Sequence, residues 1–455
     1  MKIFNTLSRQ KEGFVPVNAD KIGIYVCGPT VYNFIHVGNA RPYVVFDTLR
    51  RFLRYKGYDV KYVQNFTDID DKIINKANAE DTDFLNIANR YIDEFFTDID
   101  GLNVLRADVY PRVTEEIEGI VNLISLLIDK GSAYDKNGTV YFNAHSVNNY
   151  GKLSKKNINE LESGARVEVN TEKNNPSDFV LWKPAKPNEP YWGSPWSNGR
   201  PGWHIECSVM ARKYIGDIVD IHAGGEDLMF PHHENEIAQS EAEKDGNFAN
   251  YWMHNGMLLV DNQKMSKSAD NFFLVRDVAK KFGYDVLRFF LLSVHYRSPL
   301  NYSAELLEAA ANGLERIRNC RRQIEQATEN HPYEDEFRAS FIDALNDDLN
   351  TANAISSIFE LVKFVNVALR NGESPNKAWL DDLDFMLDLL GVSDYVRNGS
   401  NDDIAVEVEE LIVKRNEAKS AKNWDLADEI RGKLTTMGIV MKDTREGTKW
   451  HYDRN

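Results

Sequence analysis

The chain has 455 residues, 42% of them apolar and 27% charged, which is ordinary for a soluble globular protein and predicts roughly three folding units. Its 54 basic and 70 acidic residues give a net charge of −16, which leaves a nucleic-acid partner open because phosphate contacts are made locally. Collagen-like and disordered classes are excluded, and the apolar runs fall far short of the ~20 residues of a membrane span. Three cysteines are too few for a disulfide framework, so we expect a cytoplasmic protein that does not bind membranes.

The N-terminal region has the pattern of a strand–helix–strand unit. Residues 21–28 form a buried strand pattern that ends at Gly28 and Pro29, and residues 59–66 alternate like a second strand. Between them, residues 40–55 place apolar side chains at helical spacing. Such units build parallel, doubly wound sheets, so we predict an α/β fold with a Rossmann-type catalytic domain.

The middle of the chain predicts further elements of this domain and one insertion. Residues 84–130 have a helical pattern, and strand signals return at 218–222, followed by a helix from about His232. The stretch 134–203 between them is rich in Gly, Pro, Asn and Trp, which favours an inserted segment of short strands and loops.

The C-terminal third changes character. Residues 304–392 have an almost wholly helical pattern with one break, at 371–375, and we expect Cys320 to pack within it. A polar joint at 397–403 precedes a small terminal unit. The predicted domains are the catalytic domain at 1–303, a helical bundle at 304–396 and a small α/β domain at 404–455.

The first candidate site is the string 34–39, Phe-Ile-His-Val-Gly-Asn, between a strand and a helix. A helix start offers unpaired N–H groups and the positive end of the helix dipole, which together favour phosphate. Gly38 permits close approach of a ligand, and His36 and Asn39 add polar groups. On its own, the string is more simply explained by a polar loop that caps the helix.

The second candidate is the loop 264–268, Lys-Met-Ser-Lys-Ser. Its two lysines can both reach a polyphosphate as mobile point charges, although an isolated basic pentapeptide is usually a solvated loop. Together with the string at His36, this loop resembles the two signatures of class I aminoacyl-tRNA synthetases, His-Ile-Gly-His and Lys-Met-Ser-Lys-Ser. The second is unchanged here, and the first has Val37 and Asn39 in place of Ile and the second His.

The third candidate is rich in histidine, since five of the ten histidines lie between residues 204 and 254. On a helix, His232 and Glu236 face one way, and Cys27 and Cys207 would complete a tetrahedral donor set suited to zinc. The spacing is not that of a zinc finger or ribbon. Buried thiols, a helical carboxylate and a hydrogen-bonded histidine are the alternative, which the residues alone leave open.

Nearly the whole chain resembles the cysteinyl-tRNA synthetases. The strings that carry the resemblance occur in the family's order, at residues 25–32, 65–72, 150–154, 199–208, 230–236 and 264–268. Asn39 fits as well, because the family's first signature commonly ends in Asn. The resemblance implies an enzyme that activates L-cysteine with ATP to cysteinyl-adenylate and transfers it to the 3′ end of tRNA(Cys); we expect a monomer.

The resemblance also implies a site. One zinc ion per chain, held by Cys27, Cys207, His232 and Glu236, would select the cysteine thiol, and Mg²⁺ would accompany ATP. The other implied residues are catalytic His36, Asn39, Lys264 and Lys267; ATP-binding His36, Gly38, Asn39 and Lys267; and cysteine-binding Gly28, Thr30, Thr67, Trp203 and His222.

Three alternatives remain open. A ligase that transfers the same adenylate to a sugar amine would lack much of the tRNA-binding region, whereas this chain continues through 304–455. A non-catalytic zinc protein that only binds RNA would need neither His36 nor the loop 264–268. Zinc with four protein ligands is usually structural, because catalytic zinc keeps a position open; the resemblance favours substrate binding.

The terminal unit carries its own charge pattern. Residues 411–455 hold ten Lys/Arg and seven Asp/Glu, a net +3, and basic side chains alternate with Trp424 and Trp450. This pattern suits an unpaired RNA loop, and the resemblance places anticodon recognition here. A solvated helical face with both tryptophans in a small core is the alternative. Eight of the ten basic residues form this pattern: Lys414, Arg415, Lys419, Lys422, Lys433, Lys442, Arg445 and Lys449.

Overall fold

A computed structural model gives the fold of two compact units, Met1–Gly391 and Val392–Asn455. The predictions made for Lys267, Lys422 and Arg445 lie outside the residues that the structure describes. The described residues are 1–158, 172–260, 263–264, 272–333, 335–393, 411–416, 418–419, 423–436, 439–444 and 447–452.

The first unit alternates strands and helices. Its strands are β1 (Lys2–Asn5), β2 (Gln10–Gly13), β3 (Lys21–Val26), β4 (Asp59–Gln64), β5 (Ala133–Lys136), β6 (Thr139–Phe142), β7 (Phe179–Pro184), β8 (Gly199–Pro201), β9 (Val219–Gly225), β10 (Ala249–Asn255), β11 (Leu258–Val260), β12 (Gln263–Lys264) and β13 (Leu300–Tyr302). Its helices are α1 (Val37–Tyr55), α2 (Asp71–Ala79), α3 (Phe84–Gly101), α4 (Ile117–Asp129), α5 (Ile205–Tyr214), α6 (Glu234–Glu243), α7 (Val275–Phe282), α8 (Tyr284–Leu292), α9 (Ala304–Ile324), α10 (Glu336–Asn346), α11 (Thr351–Arg370) and α12 (Lys377–Leu390).

A four-stranded parallel sheet in the order β10-β9-β3-β4 lies at the centre and confirms the predicted Rossmann-type class. The predicted strand–helix–strand unit is β3, α1 and β4, and β3 is buried from Ile22 to Val26. In parallel sheets, ligands bind beyond the carboxyl ends of the strands. The segments that follow β3, β9 and β10 are therefore neighbours at one edge of the sheet.

Helix α1 begins at Val37, earlier than predicted, because the preceding string caps it. The imidazole Nδ1 of His36 accepts a hydrogen bond from the backbone N–H of Asn39 at 3.2 Å, and the Asn39 side-chain oxygen accepts one from the His36 N–H at 3.4 Å. This capping box satisfies N–H groups that lack helical partners. The string is thus a helix cap in the structure, whatever else it binds.

The predicted helical stretch 84–130 is interrupted between α3 and α4. Residues around Pro111 run beside β4 instead, where the N–H of Gln64 donates to Val109 O at 3.1 Å and the N–H of Phe66 donates to Pro111 O at 2.9 Å. Proline cannot continue a helix, so this segment is extended and forms strand-like backbone hydrogen bonds with the end of β4. The predicted insertion is present as an antiparallel sheet in the order β5-β6-β7-β8.

The prediction of a single break in the helical pattern between residues 304 and 392 is wrong, because non-helical segments also separate α9 from α10 and α10 from α11. Tertiary contacts fix the second of these breaks. Asp348 has a φ of +63°, and its carboxylate accepts hydrogen bonds from the Phe4 N–H and the Tyr296 hydroxyl, both at 2.8 Å. Cys320 is buried in α9, as expected.

Helix α11 is long and apolar enough to cross a bilayer by length and composition alone. One of its faces is instead buried within the helical bundle, including Ile358, Leu361 and Val365. This is the one-sided burial of a core helix in a globular domain.

The described part of the second unit is α/β, as predicted. It contains α13 (Trp424–Thr436) and an antiparallel hairpin of β14 (Ile439–Thr444) and β15 (Gly447–Tyr452). Residues 411–416 are also helical, and Ile412 and Leu434 are buried.

Candidate functional site

The carboxyl-terminal edge of the parallel sheet opens into a cavity of about 380 Å³. Seven of the residues predicted to form the site line it together: Cys27, Gly28, Thr30, His36, Gly38, Asn39 and Trp203. Separate regions of the chain thus meet at this edge of the sheet.

Sequence reasoning missed one wall of this cavity. The turn between β10 and β11 contributes Asn255, Gly256, Met257 and Leu258, and Asp227 lines the cavity after β9. The available signal was position, since both segments follow buried strands that end at this edge of the sheet.

The described segments on either side of the predicted loop 264–268 lie beside the same cavity. Leu258 before it and Phe272 after it both line the cavity. The N–H of Val37 donates to Phe273 O at 3.0 Å, and the N–H of Val275 donates to Ile35 O at 3.1 Å. The backbone of Lys264 lies in β12, which pairs with β11. The segments that flank the second signature string therefore lie next to the first one.

Behind the cavity, Cys27, Cys207, His232 and Glu236 place their donor atoms within 4.8 Å of one another. Cys27 follows β3 and Cys207 lies on α5. His232 lies two residues before α6 and Glu236 lies in the first turn of that helix; all four are buried. The Cys27 Sγ lies 3.8 Å from the Cys207 Sγ and 3.6 Å from Glu236 Oε1, and His232 Nε2 lies 3.1 Å from Glu236 Oε1. Two thiols, an imidazole and a carboxylate form a donor set that suits zinc.

A second donor set overlaps the first. Cys27, His222, His233 and Glu236 also place their donor atoms within 4.8 Å of one another. The Cys27 Sγ lies 3.3 Å from His233 Nε2, and His222 Nε2 lies 2.8 Å from Glu236 Oε2. His222, predicted to contact cysteine, is fully buried beside Glu236 and is not among the described residues that line the cavity.

Further side chains orient these histidines. His232 Nδ1 lies 3.0 Å from His204 Nδ1, and His233 Nδ1 lies 2.8 Å from His254 Nε2. The outer nitrogen of a metal-binding histidine is usually held in this way. Burial lowers the pKa of His232 and raises the pKa of the Cys27 thiol, so without a cation the His232 imidazole is neutral and the Cys27 thiol is protonated. A bound divalent cation would displace the thiol protons.

Thr67 lies behind the cavity wall rather than on it. Its hydroxyl donates to Glu206 Oε2 at 2.8 Å. Its carbonyl accepts from the Val31 N–H at 3.1 Å, and its N–H donates to Pro29 O at 3.2 Å. Thr67 therefore holds the backbone on either side of Thr30, which does line the cavity.

Two further residues lie between the cavity and the metal donors. The Trp203 ring, 42% exposed, lies with its centroid 4.4 Å from that of His232. Asn65, which the sequence reasoning did not single out as a site residue, accepts from the Gly28 N–H at 2.9 Å and lies 3.7 Å from the Cys207 Sγ.

A parallel sheet, a capped helix start at its carboxyl-terminal edge and a cavity lined by both are the arrangement of a class I aminoacyl-tRNA synthetase. Family models agree along the chain. The class I (C) tRNA synthetase catalytic domain matches residues 13–312, the DALR domain matches 340–392, and the cysteinyl-tRNA ligase anticodon binding domain matches 401–450.

Relatives of known name cover the full length. The chain is 52% identical to the cysteine–tRNA ligase of Clostridioides difficile and 53% identical to that of Lachnoclostridium phytofermentans, with 99% of each chain covered in both cases. The chain belongs to the cysteinyl-tRNA synthetase family and is an aminoacyl-tRNA ligase. A solved Mycobacterium tuberculosis methionyl-tRNA synthetase in complex with methionyl-adenylate shares the fold, with a TM-score of 0.60 at 16% identity over 83% of this chain and 91% of that one.

Proposed function

We propose that this enzyme activates L-cysteine with ATP to cysteinyl-adenylate and transfers the cysteinyl group to the 3′ end of tRNA(Cys), with zinc selecting the thiol. The observation that carries the proposal is that Cys27 is both a metal donor and a residue of the cavity wall. It is a member of the buried donor set and also lines the cavity that holds the His36 string. A thiol bound beside Cys27 would share its cavity with ATP.

The first step needs positioning and charge stabilisation more than covalent chemistry. The cysteine carboxylate attacks the α-phosphorus of ATP and pyrophosphate leaves; a ribose hydroxyl of the tRNA then attacks the carbonyl carbon and AMP leaves. His36, Gly38 and Asn39 bind the triphosphate at the start of α1, where helix N–H groups favour anions. Lys264 and Lys267 neutralise the departing pyrophosphate, and Mg²⁺ arrives with ATP.

Selection of cysteine over serine requires more than a shaped pocket. A pocket discriminates weakly between near-isosteres, and a 10⁴-fold preference corresponds to ~5.5 kcal/mol. When bound, zinc supplies a soft Lewis acid that prefers thiolate to hydroxyl oxygen. Cys27 and Cys207 serve as its ligands together with His232 and Glu236. Around them, Gly28, Thr30 and Trp203 contact the amino acid, and Thr67 and His222 hold the wall from behind.

Cysteine-dependent ATP–pyrophosphate exchange tests the activation step directly. We expect exchange with cysteine and none with serine, and charging of tRNA(Cys) in the same preparation. Absence of exchange would eliminate the proposal, whereas exchange without tRNA charging would favour the sugar-amine ligase. RNA binding without exchange would favour a non-catalytic zinc protein. We further propose a cytoplasmic monomer, which sedimentation of the pure protein would test.

The two C-terminal regions serve the tRNA. We propose catalytic, helical and anticodon-recognition domains at 1–303, 304–396 and 404–455. In the last of these, Trp424 is 59% exposed, which opposes the alternative that this ring belongs to a small core. An exposed indole near basic side chains is available to stack on an unpaired base.

Trp424→Ala is expected to raise the KM for tRNA(Cys) about tenfold, because stacking of one base contributes roughly 1–3 kcal/mol. Trp424→Phe should recover most of this loss. Leu426→Ala is the matched control, since Leu426 is 41% exposed on the same helix but offers no ring. Cysteine-dependent exchange should stay unchanged in all three variants. Charging by Trp424→Ala at wild-type efficiency below saturating tRNA would remove Trp424 from the RNA surface.

A further inference from the structure

Arg41 is a fully buried arginine in α1 whose hydrogen bonds all go to backbone carbonyls. One terminal nitrogen donates to Gly256 O at 2.6 Å and to Met257 O at 3.3 Å. The other donates to Ser298 O at 2.7 Å and to His295 O at 3.4 Å. A single side chain on α1 thus holds two separate backbone segments.

Among the described residues no carboxylate forms an ion pair with Arg41, although the charge of Glu226 favours the charged form of its guanidinium. Arg288, equally buried, instead lies 2.5 Å from the carboxylate of Asp47. Burial lowers the pKa of Arg41 to about 10, so the guanidinium remains charged at neutral pH. An unpaired buried charge is costly, and structures retain such groups where they serve a site.

The segment that Arg41 holds is a wall of the catalytic cavity. Gly256, Met257 and Leu258 line the cavity, and β11, which follows, pairs with the strand that carries Lys264. The turn has little room to move, since a Cβ on Gly256 would lie 2.6 Å from Ser298 O. Arg41 therefore ties the helix that His36 caps to the strands that lead into the lysine loop.

We propose that Arg41 is a positioning residue for ATP. It fixes the 256–257 turn at a set distance from the start of α1, and it keeps a positive charge beneath the cavity into which a polyanion must bind. This inference rests on the proposed function, because it assigns a role within the same site. Its distinguishing consequence is that ATP binding depends on Arg41 while cysteine binding, beside the metal donors, does not.

The test is steady-state cysteine-dependent ATP–pyrophosphate exchange on Arg41→Met, Arg41→Lys and Arg50→Met in the full-length enzyme. Arg50 is the control, because it is buried on the same helix and donates to the carbonyls of Leu105 and Arg106 and to the carboxylate of Asp108, none of which lines the cavity. Arg41→Met should raise the KM for ATP about tenfold or more, with the KM for cysteine and the zinc content unchanged. Arg41→Lys, which keeps the charge but not the fork of donors, should show a smaller rise.

Each other outcome overturns the inference. A folded Arg41→Met enzyme with a wild-type KM for ATP would do so, as would equal rises for ATP and cysteine or the same rise in Arg50→Met. If Arg41→Met does not fold, Arg41→Lys carries the test, and an unchanged KM for ATP in that variant is equally decisive. Wild-type enzyme without exchange would instead contradict the proposed function.

Discussion

The Cys27→Ala/Cys207→Ala double variant is expected to contain no zinc and to lose about 10⁴-fold in kcat/KM for cysteine. The double substitution removes both thiols from the proposed donor set, and Cys27 from the overlapping set as well. Without zinc, the cavity has only shape and hydrogen bonds to distinguish cysteine from serine, so the preference for cysteine should collapse. Elemental analysis and exchange assays with both amino acids measure the two effects.

Cys320→Ala provides the matched control, because Cys320 is a buried thiol in α9 that belongs to neither donor set. It should keep one zinc per chain and normal exchange. Single variants then show which of the two donor sets binds the zinc. Cys207→Ala should lose the metal, and His233→Asn should retain it. Stoichiometric zinc in the double variant would contradict the assignment of the site, and loss of zinc only with His233 would move the ion to the second set.

Lys267→Ala is expected to slow adenylate formation about a hundredfold while the KM for cysteine stays near its wild-type value. The charge of Lys267 matters most as pyrophosphate departs, so its loss raises the energy of the transition state rather than of the bound amino acid. One charge-assisted contact of this kind contributes ~3 kcal/mol. Rapid-quench measurement of a single turnover isolates the step.

Lys280→Ala, an exposed lysine on α7 close in sequence to the loop, is the control for a general loss of positive charge. It should leave the rate of activation unchanged. A Lys267→Ala enzyme whose KM for cysteine rises while its turnover is preserved would remove Lys267 from the departing pyrophosphate.

The elements around the site were predictable because local pattern and burial agree there. The strands β3 and β4 are buried and the helix between them is periodic, so the strand–helix–strand unit follows from residues 21–66 alone. The start of α1 was not predictable to the residue, because it depends on the reciprocal hydrogen bonds of His36 and Asn39.

Elements fixed by distant partners were missed. The break between α10 and α11 depends on Asp348 contacting Phe4 and Tyr296, which lie 344 and 52 residues away. Pattern within a window cannot include such contacts. The wall formed by the turn after β10 was missed for the same reason, since Arg41 holds it from another part of the chain.

For the metal donors, too, one part was predictable from the sequence and another part only from the fold. Chemistry and order along the chain pointed to Cys27, Cys207, His232 and Glu236, which the structure does bring together. The sequence could not show which of the two adjacent histidines holds a metal, because His232 belongs to one donor set and His233 to the other. Only the fold shows that His222 lies 2.8 Å from Glu236 and is not among the described residues that line the cavity.

The capping box at the start of α1 also determines which hydrogen the His36 ring can offer. Its Nδ1 accepts from the Asn39 N–H, so a neutral ring must carry its proton on Nε2. A doubly protonated ring would have no lone pair for that bond, so the cap and a positive charge on His36 exclude each other. In the proposed reaction His36 therefore donates a hydrogen bond to the triphosphate as a neutral ring. The negative charge of the triphosphate is neutralised by the lysines and by Mg²⁺.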